Sequence, residues 1–140
     1  MIFGIGTDIC DVRRIYRSTE KLGERFACKI LTEAELAIWQ ERTSQSSERG
    51  SRYLASRFAA KEAVSKALGL GMQTPMTWHN CQILNSAAGV PVLHVLGSLQ
   101  IWCAERHLAF HVSLSDEADY AVAFCVAEVR AAPVPTLGVL

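Results

Sequence analysis

Apolar and polar positions change their period along this chain. Ile2-Phe3-Gly4-Ile5-Gly6-Thr7-Asp8-Ile9 is rich in β-branched residues and loosened by two glycines, which predicts a short strand. From residue 12 the spacing turns helical. Val12, Ile15, Tyr16 and Leu22 recur at helical intervals, with Asp11 as N-cap and Gly23 as the stop. Thr32-Glu33-Ala34-Glu35 is a capping box, so another helix is expected from about residue 33, with Leu36 and Trp39 turned inward. Residues 43–51, TSQSSERGS, are polar and serine-rich and predict a mobile loop. Arg52 to Leu68 gives the strongest helical signal, Ala-rich and followed by Gly69 and Gly71.

The second half alternates. Residues 78–84 and 91–96 predict strands around a turn at Asn85-Ser86-Ala87-Ala88-Gly89. Residues 98–107 predict a short helix with Leu99, Trp102 and Cys103 facing the core. Phe110 to Ser115 and Tyr120 to Val129 form a final hairpin around Asp116-Glu117-Ala118-Asp119. The tail after Arg130 has two prolines and no pattern, and is expected to be disordered. No internal repeat occurs. The pattern predicts a single α+β domain over residues 1–130, with a mainly antiparallel sheet packed with helices.

Composition narrows this picture. With 140 residues, half of them hydrophobic, the chain suffices for one core and no second domain of ordinary size. Charge balances overall but not locally: residues 1–66 hold twelve Lys or Arg against nine Asp or Glu, and residues 67–140 hold two against five. A nucleic-acid binder would show a strong overall basic excess. Scattered arginines in one half suit a phosphate-rich ligand or an acidic protein partner, although solvated helix faces are their commoner fate. The five cysteines are odd in number, widely spaced and without a CxxC, so neither a zinc cluster nor a disulfide framework is indicated. Each lies among apolar residues and reads as a small buried hydrophobe. With no signal peptide and no apolar run able to span a bilayer, a soluble, reducing, cytoplasmic setting is expected.

Two carboxylates stand out against their surroundings. In the Arg52–Leu68 segment, Leu54, Phe58, Glu62 and Ser65 fall on one face, so Glu62 continues a stripe that should point inward. One reading rotates Glu62 to the rim and pairs it with Lys66, which contributes only about 0.3–0.5 kcal/mol. Burial of an unpaired carboxylate costs several kcal/mol, so a bound cation is the other reading. Asp8 sits within an apolar strand, where Asp is disfavoured unless it ends the strand or enters a turn. Gly4 and Gly6 would let another backbone or a ligand come close. Carboxylates from two elements suit Mg²⁺, which takes one or two protein carboxylates and completes its octahedron with substrate phosphate and water. Lys66, one turn beyond Glu62, could meet the same phosphate, as in phosphoryl transfer.

Taken in order and spacing, four motifs resemble the holo-[acyl-carrier-protein] synthase family. They are Gly4-Ile5-Gly6-Thr7-Asp8-Ile9, the run from Arg57-Phe58-Ala59-Ala60-Lys61-Glu62 to Gly69, Gly89-Val90-Pro91, and His111-Val112-Ser113-Leu114-Ser115 with Tyr120-Ala121-Val122-Ala123. The resemblance spans residues 1 to about 129. It implies transfer of 4′-phosphopantetheine from coenzyme A to a serine of an acyl carrier protein, with Asp8 and Glu62 holding Mg²⁺ and Lys66 assisting transfer at the phosphates. It further implies that Arg57 and Ser65 stand near the nucleotide phosphates, and that Gly69, Gly71 and Pro91 shape loops lining the cofactor. Arg14 matches an arginine on the helix that meets the acidic carrier protein, and Arg25 is expected to act likewise. Asp116 occupies a cofactor-lining position where many members have histidine. The short members form homotrimers with sites between subunits. That agrees with a chain too small to enclose coenzyme A alone. The four histidines show no nucleophile–base spacing, and His111, on an apolar strand, reads as a satisfied core residue. Two other activities use the same features: a Mg²⁺-dependent phosphohydrolase, and a non-catalytic module that docks acidic proteins. The second would have no use for Asp8 and Glu62.

Overall fold

Asp11 ends the first strand and starts the first helix. Its backbone is extended, and its carboxylate accepts from the Arg13 N–H at 2.9 Å, satisfying a free helix donor. The computed structural model describes residues 1–131 and 138. Along the chain it runs β1 (Ile2–Asp11), α1 (Val12–Leu22), α2 (Glu24–Ile30), α3 (Glu33–Gln45), α4 (Ser47–Leu68), β2 (Cys81–Asn85), β3 (Pro91–Val95), α5 (Gly97–Glu105), β4 (Leu108–Asp116) and β5 (Tyr120–Val129). β1, β5 and β4 form a three-stranded sheet in that order, and β2 pairs with β3 in a separate hairpin. All pairings are antiparallel, so the α+β expectation holds. The tail expected to be disordered falls, apart from Ala131 and Gly138, outside the described residues.

The centre of the molecule is α4 against β1 and β5. What allows the approach is size. Ala121, Ala123, Cys125 and Ala127 face the helix from β5, Gly6 and Cys10 from β1, and Ala59, Ala60, Ala63 and Ala67 answer from α4, all of these alanines and cysteines buried. Small side chains on both surfaces let the backbones close up. A Cβ added to Gly4 would lie 1.9 Å from the Ala67 carbonyl oxygen, and one on Gly6 only 1.8 Å from that of Ala63. These two glycines are therefore required by packing rather than by turn geometry.

Several sequence expectations are corrected. The serine-rich loop at 43–51 is helical except for Ser46. α3 continues to Gln45, and Ser46 both closes it, through its N–H to the Arg42 carbonyl, and caps α4, its hydroxyl accepting from Arg49 N–H at 3.3 Å. The composition misled because Gly50 has a packing cause: a Cβ there would meet the Thr43 hydroxyl at 2.1 Å. α2, seven residues long, is too short to give a periodic signal. On α1 only Val12 and Ile15 are buried, while Tyr16 and Leu22 are exposed. Cys28 is exposed; the other four cysteines are buried as expected.

Candidate active site

Side chains alternate along β1, so Asp8 follows Gly4 and Gly6 on the face turned to α4. Because the glycines bring strand and helix into backbone contact, Asp8 arrives beside the turn carrying Glu62 and Lys66. The Lys66 ammonium donates to Asp8 Oδ1 at 3.1 Å and to the Thr7 carbonyl at 2.9 Å. Its carboxylate partner across the described residues is thus Asp8, not Glu62, which decides against the simple i,i+4 pair. Glu62 is half-buried. Burial, and then the charge of Asp8, push its carboxyl above the ordinary range, while Lys66 and Arg14 pull it back. Two carboxylates thus stand near each other, with the Lys66 ammonium paired to Asp8 and Arg14 beside Glu62. Cys10, close by, is pushed up to about 11, first by burial, and is not a thiolate nucleophile at neutral pH.

Arg14 reaches this place from α1. Its guanidinium lies 5.7 Å from the centre of the Phe58 ring, and its charge acts on both Glu62 and Cys10. It therefore stands at the edge of the carboxylate pair as well as on an exposed helix face.

A cleft of about 240 Å³ opens farther along α4, lined by Arg42, Tyr53, Arg57, Asn85, Pro91 and Asp116 among others. Arg57 is only 4% exposed. Its Nε donates to the Ile83 carbonyl at 3.1 Å, one terminal nitrogen to the Ser56 hydroxyl at 3.2 Å, and the other to Asn85 Oδ1 at 3.1 Å. Every partner is neutral, and among the described residues no carboxylate pairs with Arg57 or Arg42. Both guanidinium groups lie over the Tyr53 ring, at 4.5 and 5.3 Å. The Tyr53 hydroxyl is buried without a partner and pushed up to about 12, chiefly by burial. An arginine buried among neutral groups retains its full charge for an anion.

Of the residues expected at the site, the structure joins Asp8, Glu62, Lys66 and Arg14 at one place, and Arg57, Pro91 and Asp116 at the other. Ser65 is buried, and its hydroxyl donates to the Glu62 carbonyl within its own helix. Gly69 closes α4 in the left-handed conformation, and Gly71 also has positive φ, so both shape the chain leaving the helix. Arg25 is exposed on α2, an element that does not line the cleft. His111 is not a core residue: it is exposed on β4, and its ring nitrogen meets Glu128 at 2.9 Å. Sequence reasoning missed Arg42, Tyr53 and Asn85. Tyr53 reads as ordinary core, Asn85 as a turn residue and Arg42 as a helix surface charge, so no local signal separates them.

Among the described residues no cluster of three or more His, Cys, Asp or Glu could hold a metal, so the donor set at Asp8 and Glu62 is two carboxylates. Hard oxygen donors in that number fit Mg²⁺ bound jointly with a phosphate ligand.

Fold and site together define a small α+β domain in which α4 contributes both to a pair of carboxylates, with Asp8 of β1, and to an arginine-lined cleft. The model of the 4′-phosphopantetheinyl transferase superfamily matches residues 4–125, and the chain belongs to that superfamily. It is 58% identical over 128 residues to the holo-[acyl-carrier-protein] synthase of a Polaromonas species, covering 91% of this chain and 97% of that one. The enzyme of the same name from Acidovorax sp. is 56% identical, with 91% and 98% covered. Among solved structures, holo-[acyl-carrier-protein] synthase from Neisseria meningitidis superposes with a TM-score of 0.83 at 41% identity, covering 91% of this chain and 99% of that one. A holo-(acyl-carrier-protein) synthase from Bacillus anthracis, solved in complex with CoA (3′,5′-ADP), gives 0.76 at 33% identity, with 93% and 99% covered.

Proposed function

We propose that the protein transfers the 4′-phosphopantetheine group of coenzyme A to a serine of apo-acyl carrier protein, releasing adenosine 3′,5′-bisphosphate. The carrying observation is that α4 presents the buried, ligand-ready Arg57 and, nine residues on, Lys66 beside Asp8 and Glu62. At 1.5 Å per residue that separation is about 14 Å, a nucleotide-sized span. Arg57, with Arg42, Asn85, Pro91 and Asp116 around it, binds the nucleotide end. Asp8 and Glu62 hold Mg²⁺, which when bound supplies positive charge against the diphosphate and its leaving oxygen. Lys66, about half exposed, is free to turn from Asp8 to a phosphate oxygen and steady it. Ser65, Gly69 and Gly71 act through the backbone that supports these groups. Arg14 and Arg25 receive the acidic carrier protein.

The reaction belongs to an assembly of three subunits in the cytoplasm. A cleft of about 240 Å³ is smaller than the roughly 300–1,000 Å³ of ordinary ligand pockets, which supports a site completed by a neighbouring subunit. The sheet face opposite α4 supports the same reading. Ile5, Ile9, Val122 and Phe124 lie on it 54%, 64%, 41% and 43% exposed, an apolar surface that a neighbouring subunit would cover. No helix of the described residues is long and apolar enough to cross a membrane.

The test is to mix the protein with coenzyme A, Mg²⁺ and an apo carrier protein, and to follow the carrier by intact mass. A gain of one phosphopantetheine, lost when Mg²⁺ is chelated, is expected. Free phosphate would indicate the phosphohydrolase, and an unmodified complex the docking module.

A further inference from the structure

Among the described residues, the bulkiest fully buried side chain is a lysine. Lys61 on α4 is 0% exposed, and its ammonium uses all three donors: Ile30 carbonyl at 2.7 Å, Trp78 carbonyl at 2.8 Å and Glu35 Oε1 at 2.6 Å. Burial pulls the ammonium below the usual lysine range, and Glu35 opposes that. Glu35, also 0% exposed, closes the capping box of α3 by accepting from Thr32 N–H at 2.9 Å with the same oxygen. Its second oxygen accepts from Ile83 N–H at 2.9 Å.

That last contact links the pair to the basic cleft. Ile83 lies in the middle of β2, opposite Leu93 of β3. Its N–H and carbonyl both point away from the hairpin, toward the helices. Glu35 takes the N–H, and Arg57 Nε donates to the carbonyl at 3.1 Å. The same strand supplies Asn85, which holds the far end of the guanidinium at 3.1 Å. Arg57 is thus aimed by β2, and β2 is located by Glu35. A hydrocarbon pair of the same volume could fill the space of Glu35 and Lys61 at no loss of packing, but could not grip a peptide N–H.

We infer that Glu35 and Lys61 are positioning residues for anion binding: through the Ile83 peptide they fix where the Arg57 guanidinium stands in the cleft. The inference rests on reading that cleft as the site of the nucleotide end of coenzyme A. Neither residue meets the ligand. Lys61 holds Glu35 in place, Glu35 holds β2, and β2 holds Arg57.

The test is calorimetric titration with adenosine 3′,5′-bisphosphate, together with KM for coenzyme A and for the carrier protein. Arg57→Ala, Glu35→Gln, Glu35→Asp and the double variant Arg57→Ala/Glu35→Asp are compared with the parent. Glutamine presents an N–H₂ where the carboxylate must accept, and aspartate is one methylene too short to reach Lys61 and Ile83 together. Each Glu35 variant is expected to weaken nucleotide binding about tenfold or more, the effect of losing alignment in a charge-assisted contact. The KM for coenzyme A should rise in step, with the carrier-protein KM and kcat little changed. The double variant should be no weaker than Arg57→Ala alone, because the two residues act through one contact. Should Glu35→Gln fail to fold, Glu35→Asp decides, since it keeps the charge opposite Lys61. Arg57→Ala binding as tightly as the parent overturns the reading of the cleft. A weakened Arg57→Ala beside an unaltered Glu35→Asp, or losses that simply add in the double variant, overturns the positioning role alone.

Discussion

Replacing Gly6 by alanine tests the link between packing and the carboxylate site. The new methyl carbon would be 1.8 Å from the Ala63 carbonyl oxygen and 2.8 Å from both the Ala63 carbonyl carbon and the Ala67 nitrogen. All three are backbone atoms of the last turns of α4, so no side chain can swing away. Relief requires strand and helix to part by more than an ångström, along an interface otherwise filled by alanine. Overpacking of this kind typically costs about 1–3 kcal/mol, and rigid backbone on both sides places this case at the upper end. Alanine offsets about 0.4–1 kcal/mol by restricting the unfolded chain, leaving a net loss of about 2 kcal/mol. For a chain of this size that lowers Tm by roughly 8 °C, read by calorimetry or circular dichroism. Activity should fall further than stability alone explains, because Asp8 lies two residues along the same strand and moves away from Glu62. An alanine variant that melts within 2 °C of the parent and transfers at the parental rate would refute the argument.

Glu62→Gln should abolish transfer yet raise the Tm of the metal-free protein at pH 7. The fold raises the carboxyl's pKa, so the native state holds the proton more tightly than the unfolded chain, and stability falls as pH rises through a window starting near 4.5. Glutamine removes that slope and also the Tm gain on adding Mg²⁺; a lower Tm, or a retained Mg²⁺ effect, would contradict the metal assignment. Arg14→Glu should raise KM for the carrier protein more than for coenzyme A and flatten its salt dependence, whereas equal rises would assign Arg14 to the carboxylate site itself. Phe124→Asp, on the exposed sheet face, should convert a trimer to monomers by light scattering and remove activity at nanomolar concentration. A parent that is monomeric and fully active on dilution would require the whole site within one chain.

How much of this could be read from the sequence depends on whether the cause is local. The Thr32 capping box, the Asp11 cap and the Gly23 stop were legible because each is satisfied within a few residues of itself. Asp8 and Glu62 were legible as anomalies, polar groups continuing apolar stripes. Other features have causes far away in sequence. Gly50 looked like loop because its partner, Thr43, lies on a different helix. His111 looked like core because β4 alternates, but its face is the one α4 leaves uncovered. Lys61 and Glu35, 26 residues apart, gave no sign of each other, although each is fully buried against the other. A buried ion pair leaves no periodic trace when both members follow helix-compatible spacing, and only the folded arrangement reveals it.

The uncovered sheet face follows from the same packing that builds the site. To bring Asp8 to Glu62, β1 and β5 present only glycine, alanine and cysteine toward α4 besides Asp8 itself, and so give little apolar area to the core on that side. Hydrophobic stabilisation scales with area removed from water, at roughly 25 cal/mol per Å². Ala121, Ala123 and Ala127 contribute far less of it than Ile5, Ile9, Val122 and Phe124 would if covered. The larger side chains are on the other side of the strands, where the described residues leave them exposed. A close helix–strand approach and a sheet that is apolar on both faces are therefore two consequences of one arrangement. In the proposed assembly, association would do more than complete a binding cleft: it would recover burial that the small residues around the carboxylates forgo. Charges introduced on the outer face should consequently lower Tm as well as dissociate the assembly, and the two effects should share one dependence on protein concentration.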